Sequence, residues 1–351
     1  MKVYSTNSYL DGCWYVRMLL PLREGGWWGD RTSLRSTREI PERQAKAVLG
    51  ADIVVFHRPN DDRCRKIADH LKSQGKKIVF DNDDTYKGLD HMKLNDLIFN
   101  KVSGEIDKFI QQADLVTCST EYLAEEYRKL NPNVVVLPNC VDPEDWPEPE
   151  RNESGKVRIG LIGSVGMNGD TEEIRDILKN IGSRDDVQLV LFSLPEKSAK
   201  TMGKVQELYQ DDYAYWDSMN VEWHPFVDMA DYFDMINELK IDIALIPRKD
   251  LYFNRCKSNL KFLECSMLEI PVIAQGFQDQ KSPYQVDPED AQHMIICTEP
   301  SEWLPAIERL IADKDLRRSM GQKAKEYVVR KYSIQNNIQK WEQAYEKLLQ
   351  S

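Results

Sequence analysis

The feature that most constrains the fold is a regular alternation of short apolar strands and amphipathic helical stretches along the chain. In the first half, apolar segments ending in polar residues occur at ADIVVFHRP (51–59), KKIVFDNDD (76–84) and ADLVTCST (113–120). Helical patterns follow each of these segments, at 61–73, 95–112 and 121–130, and the apolar segment NVVVLPN ends this half. Chains with this alternation form parallel sheets covered by helices on both faces. We therefore predict a doubly wound, Rossmann-like α/β domain.

The alternation is interrupted once and then begins again. The stretch VDPEDWPEPERNESGK is rich in Pro and acidic residues and predicts a linker. After it, KVRIGLIGSVG starts a second series of strand candidates, at 156–166, 187–193, 221–226, 241–247, 271–275 and 293–298. Ligands of doubly wound domains bind at the carboxyl ends of the strands, so we expect the site in a cleft between two such domains. The predicted divisions are an N-terminal domain, a linker, a C-terminal domain and a C-terminal helix that packs back towards the first domain, at 1–141, 142–156, 157–332 and 333–351.

Composition narrows the possible functions. The chain contains no apolar run near the ~20 residues that a membrane span needs, and its start, MKVYSTNSYLDG, lacks the apolar core of a signal peptide. We expect a cytoplasmic protein, with peripheral contact at the inner membrane face left open. The formal net charge of -11 disfavours a general nucleic-acid binder. Seven cysteines without a CxxC pair, and histidines without HxxxH spacing, predict free thiols and no dedicated metal site.

One acidic residue stands out in the segment RCKSNLKFLECSMLEIPVIAQ (255–275). Glu264 lies beside a helical apolar stripe formed by Leu260, Leu263, Met267 and Leu268. A buried carboxylate needs a partner, and a pair of ribose hydroxyls would serve. Lys257, Ser258 and Asn259 would then hold a phosphate at the positive end of the helix. The alternative is an exposed acid at the margin of the stripe and an ordinary Lys at a helix start.

A glycine-rich turn follows the first strand of the second half. In GLIGSVGMNGD, residues Gly160, Gly163 and Gly166 would let backbone approach a ligand closely, with the next helix N-terminus facing a phosphate. The pattern differs from the dinucleotide fingerprint GxGxxG, which argues against a dinucleotide-dependent dehydrogenase. The same glycines also suit a tight turn in which Gly serves packing only.

Several of these segments together resemble glycosyltransferase family 4, whose members have the GT-B fold. KSNLKFLECSMLEIPVIAQ resembles the family's donor-nucleotide helix, with Glu264 at the position of the acid that binds the ribose. ADLVTCSTEYLAEEY, VVVLPNCVD, RIGLIGSVGMNGD, VEWHPFVDMADYF and IDIALIP resemble other parts in the same order. FHRP and FDNDDTY are nearer to a bacterial and phage subgroup with "RP" and "DxDD" at these strand ends.

The resemblance implies a retaining, metal-independent glycosyltransferase that uses a nucleotide diphosphate sugar, UDP-sugar first and GDP-sugar second, and needs no other cofactor. It implies catalytic roles for His57 and Lys257. The donor would be bound by Gly163, Ser164, Phe226, Val227, Arg248, Lys257, Ser258, Asn259, Leu260 and Glu264. Two departures from the family concern the donor: Cys256 stands where a first acid is usual, and Ser164, Met167 and Asn168 stand where many members carry Arg and Lys. The nearest replacements for the missing positive charge are Arg248, Lys249, Arg255 and Lys257.

Acceptor recognition is expected in the first domain. His57 would contact the transferred sugar, or alternatively is a structural His bonded to a loop. The carboxylates of DNDD would bind acceptor hydroxyls, hold a divalent ion or cap the next helix; we favour acceptor contact or capping for Asp81, Asp83 and Asp84. The loop at 23–39 carries Trp27 and Trp28, which would stack on a sugar, a lipid or a base, or fold back onto the core. Arg58 completes the expected acceptor set.

Other functions share parts of this pattern. A hydrolysing sugar-nucleotide epimerase has the same two-domain fold, and a non-catalytic nucleotide-sugar-binding subunit would explain Cys256. For a transferase, the expected acceptor is a glycan, a lipid-linked sugar or a hydroxylated base in phage-type DNA. The sequence leaves the oligomeric state, the sugar and the base of the donor open.

Overall fold

A computed structural model describes residues 1–7, 11–29, 42–89, 103–163, 169–192, 210–225 and 227–351. These residues form two compact units. The first unit comprises Met1–Asp142, Cys256–Ser258 and Lys331–Ser351, and the second comprises Pro143–Arg255 and Asn259–Arg330. Each unit contains a parallel sheet of six described strands, so the predicted fold class, with two Rossmann-like α/β domains, is confirmed.

The sheet of the first unit has the strand order β2-β1-β3-β4-β5-β6. Its strands are β1 (Val3–Asn7), β2 (Trp28–Gly29), β3 (Ile53–His57), β4 (Lys77–Asn82), β5 (Leu115–Cys118) and β6 (Val134–Val136). Ile53–Phe56 of β3 and Ile78–Phe80 of β4 are apolar and buried, as expected for strands covered by helices on both faces. The register aligns Asn7 with His57, His57 with Asp81, and Asp81 with Thr117. This row of polar residues therefore lies at the carboxyl edge of the sheet.

Three of the six helices described in the N-terminal part of the first unit begin at side-chain caps. The six helices are α1 (Gly12–Trp14), α2 (Leu20–Glu24), α3 (Glu42–Gly50), α4 (Asp62–Ser73), α5 (Ser103–Gln112) and α6 (Glu121–Arg128), with a π-helical turn, Tyr15–Leu19, between α1 and α2. The side chains of Asp11, Asp61 and Thr120 each accept a hydrogen bond from a backbone N–H in the first turn of the helix that follows. Such caps satisfy donors that the helix itself leaves without partners.

The sheet of the second unit has the order β12-β11-β10-β7-β8-β9. Its strands are β7 (Val157–Ile162), β8 (Val187–Phe192), β9 (Val221–His224), β10 (Ile243–Ile246), β11 (Val272–Gln275) and β12 (Ile295–Cys297). The chain runs outward from β7 in one direction and then returns to β10 on its other side. The switch point between β7 and β10 is where doubly wound sheets bind ligands, at the carboxyl ends of the strands.

The second unit is packed around a continuous apolar core that includes Ile159, Leu161, Leu178, Leu189 and Trp303. Its helices are α7 (Arg175–Gly182), α8 (Gln210–Asp217), α9 (Tyr232–Glu238), α10 (Tyr252–Cys256), α11 (Leu260–Met267), α12 (Pro300–Ala312) and α13 (Lys314–Tyr332), and short 3-10 turns occur at Pro143–Asp145, Glu172–Ile174 and Asp290–His293. The last residue of α10 and the last two of α13 are counted in the first unit.

The C-terminal helix α14 (Ile334–Gln350) belongs to the first unit and contacts α2. Its buried stripe includes Ile338, Trp341, Tyr345 and Leu348, at the spacing expected for one helix face. In the part of the chain that the structure describes, no helix is long and apolar enough to cross a membrane.

Candidate active site

At the carboxyl edge of the first sheet lies a buried pair, His57 and Asp81. His57 Nδ1 and Asp81 Oδ1 are 3.0 Å apart, and the two residues are 2% and 1% exposed. The second ring nitrogen, Nε2, is buried and has no hydrogen-bond partner within the described residues. A buried polar nitrogen without a partner is uncommon, because it loses its bonds to water and gains none in return. The predicted catalytic His therefore has one nitrogen anchored and one available to a ligand.

The other contacts of Asp81 hold it as a carboxylate. Arg17, which is fully buried, donates from Nε (3.2 Å) and Nη2 (2.6 Å), and the Thr117 hydroxyl donates at 2.6 Å. Burial alone would raise the pKa of Asp81, but Arg17 and His57 together lower it below its ordinary value. Arg17 also contacts the Leu137 carbonyl and Asn139 Oδ1, at 3.3 Å for the latter. Thus one arginine of the π-helical turn Tyr15–Leu19 links the end of β4 to the segment that follows β6.

The two carboxylates expected to bind the acceptor, Asp83 and Asp84, are already in contact with basic residues. Arg58 donates to Asp83 from Nε at 2.8 Å and lies 3.5 Å from Asp84 Oδ2. Lys257 Nζ lies 3.1 and 3.2 Å from the two oxygens of Asp84. Arg58 also adopts a left-handed backbone conformation, with φ of 49°, which is uncommon for a residue other than Gly. These side chains form a polar cluster after β3 and β4.

The segment Cys256–Ser258 is held within the first unit. The Thr120 hydroxyl donates to the Cys256 carbonyl (3.1 Å), and Asn139 Nδ2 donates to Ser258 Oγ (2.9 Å). Lys257 and Ser258, predicted to bind the donor, thus share a unit with His57. Cys256, where the family usually has an acid, is fully buried.

In the second unit, Glu264 of α11 is buried and has two protein partners. Lys261 Nζ and the Tyr232 hydroxyl donate to its Oε2 at 2.6 and 2.9 Å. Burial by itself would lower the pKa of Lys261, but the Glu264 carboxylate and Tyr232 more than offset this and raise it. Burial and the nearby carboxylate both raise the pKa of Tyr232. Of the two interpretations of Glu264, the one that makes it an exposed acid at the margin of the apolar stripe is wrong, because the side chain is buried.

The sequence interpretation missed both partners of Glu264. Lys261 had a signal, because its spacing of three residues from Glu264 puts both side chains on one helix face. No pattern in the sequence indicated Tyr232, which lies at the start of α9. The centroid of its ring is 5.7 Å from that of Phe192, on which it stacks.

The switch point of the second sheet is organised by Asp170, which sequence reasoning also missed. Asp170 follows β7 and accepts hydrogen bonds from Arg248 Nη1 (2.8 Å), the backbone N–H of Lys249 (3.0 Å) and Asn254 Nδ2 (2.6 Å). These donors all follow β10. Arg248 also contacts the Tyr284 hydroxyl, while its Nε is buried without a partner among the residues described. The predicted phosphate-binding Arg248 is therefore fixed at the ligand edge of the sheet.

The remaining cations considered for the phosphates also have acidic partners. Lys249 pairs with Glu172 (2.7 Å), and Arg255 pairs with Asp250 and Asp279 (2.6 Å each). Within the described part of the chain, no group of three or more His, Cys, Asp or Glu residues is arranged to hold a metal ion. A bound diphosphate would have to share these cations with their carboxylates.

The start of α11 has no side-chain cap. Asn259, at the cap position, donates instead to Asp290 Oδ2 at 2.6 Å. This side chain therefore does not cap the first N–H groups of the helix, from Leu260 onward. A helix that binds phosphate needs such uncapped N–H groups at its start. The N–H of Gly163 is already engaged, because it donates to the Phe192 carbonyl (3.1 Å) and so extends the sheet. Gly160 serves packing, since a Cβ there would lie 2.5 Å from Ile241.

Trp27 lies apart from the His57 cluster. The register pairs Tyr4 with Trp28, whereas His57 pairs with Asn7 at the other end of β1. The Trp27 ring covers Gly25, where a Cβ would lie 2.7 Å from the indole, and its centroid is 5.3 Å from that of Tyr345. Trp27 is thus half-buried and folded back against α14. The Trp28 side chain, Ser164 and Phe226 lie outside the described residues, and Val227 lies half-buried in the loop after β9.

Known proteins are similar to this chain in sequence family and in fold. Residues 177–343, a little under half of the chain, match the sequence model of a family described as "Glycosyl transferase-like". None of the curated protein sequences compared with the chain is similar to it.

Solved structures share the fold over most or all of the chain. A sucrose-phosphate synthase from Thermosynechococcus elongatus is 14% identical and superposes with a TM-score of 0.67, with 100% of both chains covered. The HepE protein of Anabaena, solved with UDP and glucose, is 10% identical with a TM-score of 0.65, covering 99% of this chain and 100% of that one. A TarM variant from S. aureus, solved with Fondaparinux, alpha-GlcNAc-glycerol and UDP, is 14% identical with a TM-score of 0.53, covering 85% of this chain and 55% of that one. The chain thus has the GT-B fold and carries a glycosyltransferase domain within residues 177–343, which identifies it as a glycosyltransferase enzyme.

Proposed function

We propose that the protein transfers a sugar from a UDP-sugar to an acceptor hydroxyl with retention of configuration. The observation that carries this proposal is the geometry of Glu264. Lys261 and Tyr232 both donate to its Oε2, and within the described residues no donor reaches its Oε1. A carboxylate held through one oxygen can accept ribose hydroxyls with the other. The resemblance to family 4 puts a ribose-binding acid at this position.

Other groups of the second unit would bind the remaining parts of the donor. The uncapped N-terminus of α11, at Asn259 and Leu260, offers N–H groups to the diphosphate. Arg248, fixed by Asp170 at the switch point, offers its unpaired Nε. Val227, with Phe226, would contact the base, and Gly163 and Ser164 would border the phosphates. UDP as the nucleotide is supported by its presence in two of the comparison structures.

Catalysis would consist of positioning and charge stabilisation. The acceptor hydroxyl attacks the anomeric carbon on the face that the diphosphate leaves, and the departing phosphate oxygen takes the hydroxyl proton. Negative charge that develops on the diphosphate is stabilised by Lys257, Arg248 and the N–H groups of α11. Because Lys257 is paired with Asp84, it would exchange or share this carboxylate with the phosphate. His57 would contact a hydroxyl of the transferred sugar.

The acceptor would bind to the first unit. Arg58, Asp83 and Asp84 form the polar cluster at the carboxyl edge of the sheet, and carboxylates are strong acceptors for hydroxyl groups. Trp27 and Trp28 would contact a more distant part of an extended acceptor, because Trp27 lies near the other end of β1. We propose a glycan or lipid-linked sugar as acceptor, with a hydroxylated base in phage-type DNA as the alternative.

Donor binding by the variant Glu264→Gln tests the proposal. The amide keeps the size of the side chain but loses a charged acceptor, so we expect the affinity for UDP to fall about 10- to 100-fold, as for loss of one hydrogen bond to a charged group. Titration calorimetry with UDP, GDP and ADP measures the change. Glu238→Gln, an exposed acid of the same unit, is the matched control and should bind like the wild type. Equal affinity of Glu264→Gln and the wild type would refute the donor-site assignment.

A further inference from the structure

The role of the buried residue Asp81 follows from the way it holds His57. We infer that Asp81, kept ionised by Arg17, is a positioning residue that fixes His57 in the tautomer with its proton on Nδ1, so that Nε2 accepts a hydrogen bond from a hydroxyl of the transferred sugar. This inference rests on the proposed function, and it specifies which chemical group of the substrate His57 recognises.

The first step concerns the proton on Nδ1. Asp81 accepts two hydrogen bonds from Arg17 and one from Thr117, all within 3.2 Å. A group surrounded by donors in this way is a carboxylate and can only accept from the imidazole. His57 Nδ1, 3.0 Å from Asp81 Oδ1, therefore carries a hydrogen. In the neutral ring the other nitrogen, Nε2, is then a bare acceptor.

The second step concerns the unsatisfied Nε2. The atom is buried and unpartnered within the described residues, and a buried polar atom left in this state is unfavourable, because it has lost its hydrogen bonds to water. A ligand that supplied the missing hydrogen would recover part of this cost. His57 ends β3 at the carboxyl edge of its sheet, where ligands of doubly wound sheets bind.

The third step identifies the ligand group. An acceptor nitrogen pairs with a donor, which excludes phosphate and carboxylate oxygens and selects a hydroxyl or an N–H. Such hydroxyls belong to the acceptor or to the donor; in a UDP-sugar, those that are not assigned to ribose recognition by Glu264 belong to the sugar, which the proposed function places against His57. We therefore expect His57 to accept a hydrogen bond from a sugar hydroxyl, and the nucleotide to bind without contacting His57.

Imidazole NMR of the wild-type protein tests the tautomer without any variant. In ¹⁵N spectra at pH 8, His57 should show a protonated Nδ1 and an unprotonated Nε2. Adding UDP-glucose, UDP-galactose or UDP-N-acetylglucosamine should shift the Nε2 resonance for at least one sugar, and UDP alone should not. A proton on Nε2 in the free protein, or equal shifts with UDP and with all three UDP-sugars, would overturn the inference.

The variant Asp81→Asn then tests the consequence. Its amide can donate to Nδ1, which moves the proton to Nε2 and turns that atom from an acceptor into a donor. We expect kcat for transfer to fall at least 100-fold while the Kd for UDP changes less than threefold. Thr117→Val removes one contact of Asp81 without changing charge; it should lower the melting temperature but keep the proton of His57 on Nδ1.

The outcomes separate this inference from the proposed function. If the wild type transfers no sugar from any UDP-sugar, the proposed function fails, whatever the tautomer. If the wild type is active and Asp81→Asn, folded and with its proton on Nε2, keeps the wild-type kcat, the positioning role of Asp81 is refuted. If Asp81→Asn does not fold, the wild-type spectra alone decide whether the proton of His57 lies on Nδ1, as the inference requires.

Discussion

At the scale of single residues, the predicted site residues of each unit include cations that already have carboxylate partners. Arg248 lies against Asp170, Lys257 against Asp84 and Lys261 against Glu264. Breaking such a pair by removing one member leaves a charge without compensation, which is costly in a buried setting. Under the proposed function, a diphosphate would take over part of the bonding of these cations, which their carboxylate partners otherwise hold in place.

The pair of Arg58 and Asp83 predicts how stability changes with pH. Burial alone would raise the pKa of Asp83, but Arg58, His57 and Arg17 lower it well below its ordinary value of 3.8. A carboxyl group with a lowered pKa binds its proton more weakly in the folded state than in the unfolded state. Its contribution to stability is therefore complete above about pH 4 and is lost as the pH falls below 3.8 towards the lowered pKa.

We expect Asp83→Asn to lower the free energy of unfolding at pH 7 by about 3 kcal/mol, the lower end for breaking a buried ion pair. Between pH 4 and pH 3 the variant should lose less stability than the wild type, since it lacks the titrating group. Urea unfolding at pH 7, 4 and 3 measures both effects. Asp69→Asn removes an exposed carboxyl group and should follow the wild-type curve. A variant curve parallel to that of the wild type would contradict the role given to Asp83.

At the scale of elements, the helix that carries Glu264 is held in place by close packing at its end. The turn after α11 contains Glu269, in a left-handed conformation with φ of 54°, and α13 passes over it at Gly321. A Cβ at Gly321 would lie 1.9 Å from the Glu269 carbonyl oxygen. Since no real Cβ contact is this short, the position requires Gly, and the turn between α11 and β11 depends on it.

Gly321→Ala should therefore destabilise the protein, although Ala is the better helix former by about 1 kcal/mol. Overpacking of this kind costs about 1–3 kcal/mol or more. The matched control is Gly104→Ala in the first turn of α5, where nothing lies within 4 Å of the added Cβ; it should be neutral or slightly stabilising. Thermal unfolding compares the two. Equal melting temperatures for Gly321→Ala and Gly104→Ala would show that α13 can move aside.

At the scale of the whole molecule, each sheet brings its polar residues to the carboxyl ends of its strands. In the first unit these are His57, Asp81 and Thr117, and in the second Asp170 and Arg248 meet across the switch point. Both units thus present donors, acceptors and cations on the edge where doubly wound sheets bind ligands. Cationic side chains can neutralise a diphosphate without a metal ion.

We expect transferase activity to persist in EDTA. The prediction follows from the cations available to the diphosphate, of which Arg248 and Lys257 are the foremost. Initial rates would be measured with EDTA in excess over contaminating metals, and again after addition of Mg²⁺ or Mn²⁺. Loss of more than nine-tenths of the activity on chelation, with recovery in Mg²⁺, would contradict the prediction and direct attention to Asp83 and Asp84.

The sequence by itself determined the fold class and the position of Glu264. Short apolar runs and period-3.6 patterns are local, so they identified β3, β4 and α11 before any contact was known. They did not identify β2, because its two residues, Trp28 and Gly29, are too few to show a period. The helical stripe also predicted that Glu264 would lie close to the buried face, where a carboxylate needs a partner.

Only the tertiary structure decided which groups meet. Tyr232 reaches Glu264 from 32 positions away, and Arg17 reaches Asp81 from 64 positions away. No pattern along the chain predicts such pairs, because they depend on the order of strands in a sheet and on the packing of helices over it. The same is true of Trp27, whose place beside Tyr345 follows from the packing of α14. Periodicity is a property of neighbours in sequence, whereas a binding site is a property of neighbours in space.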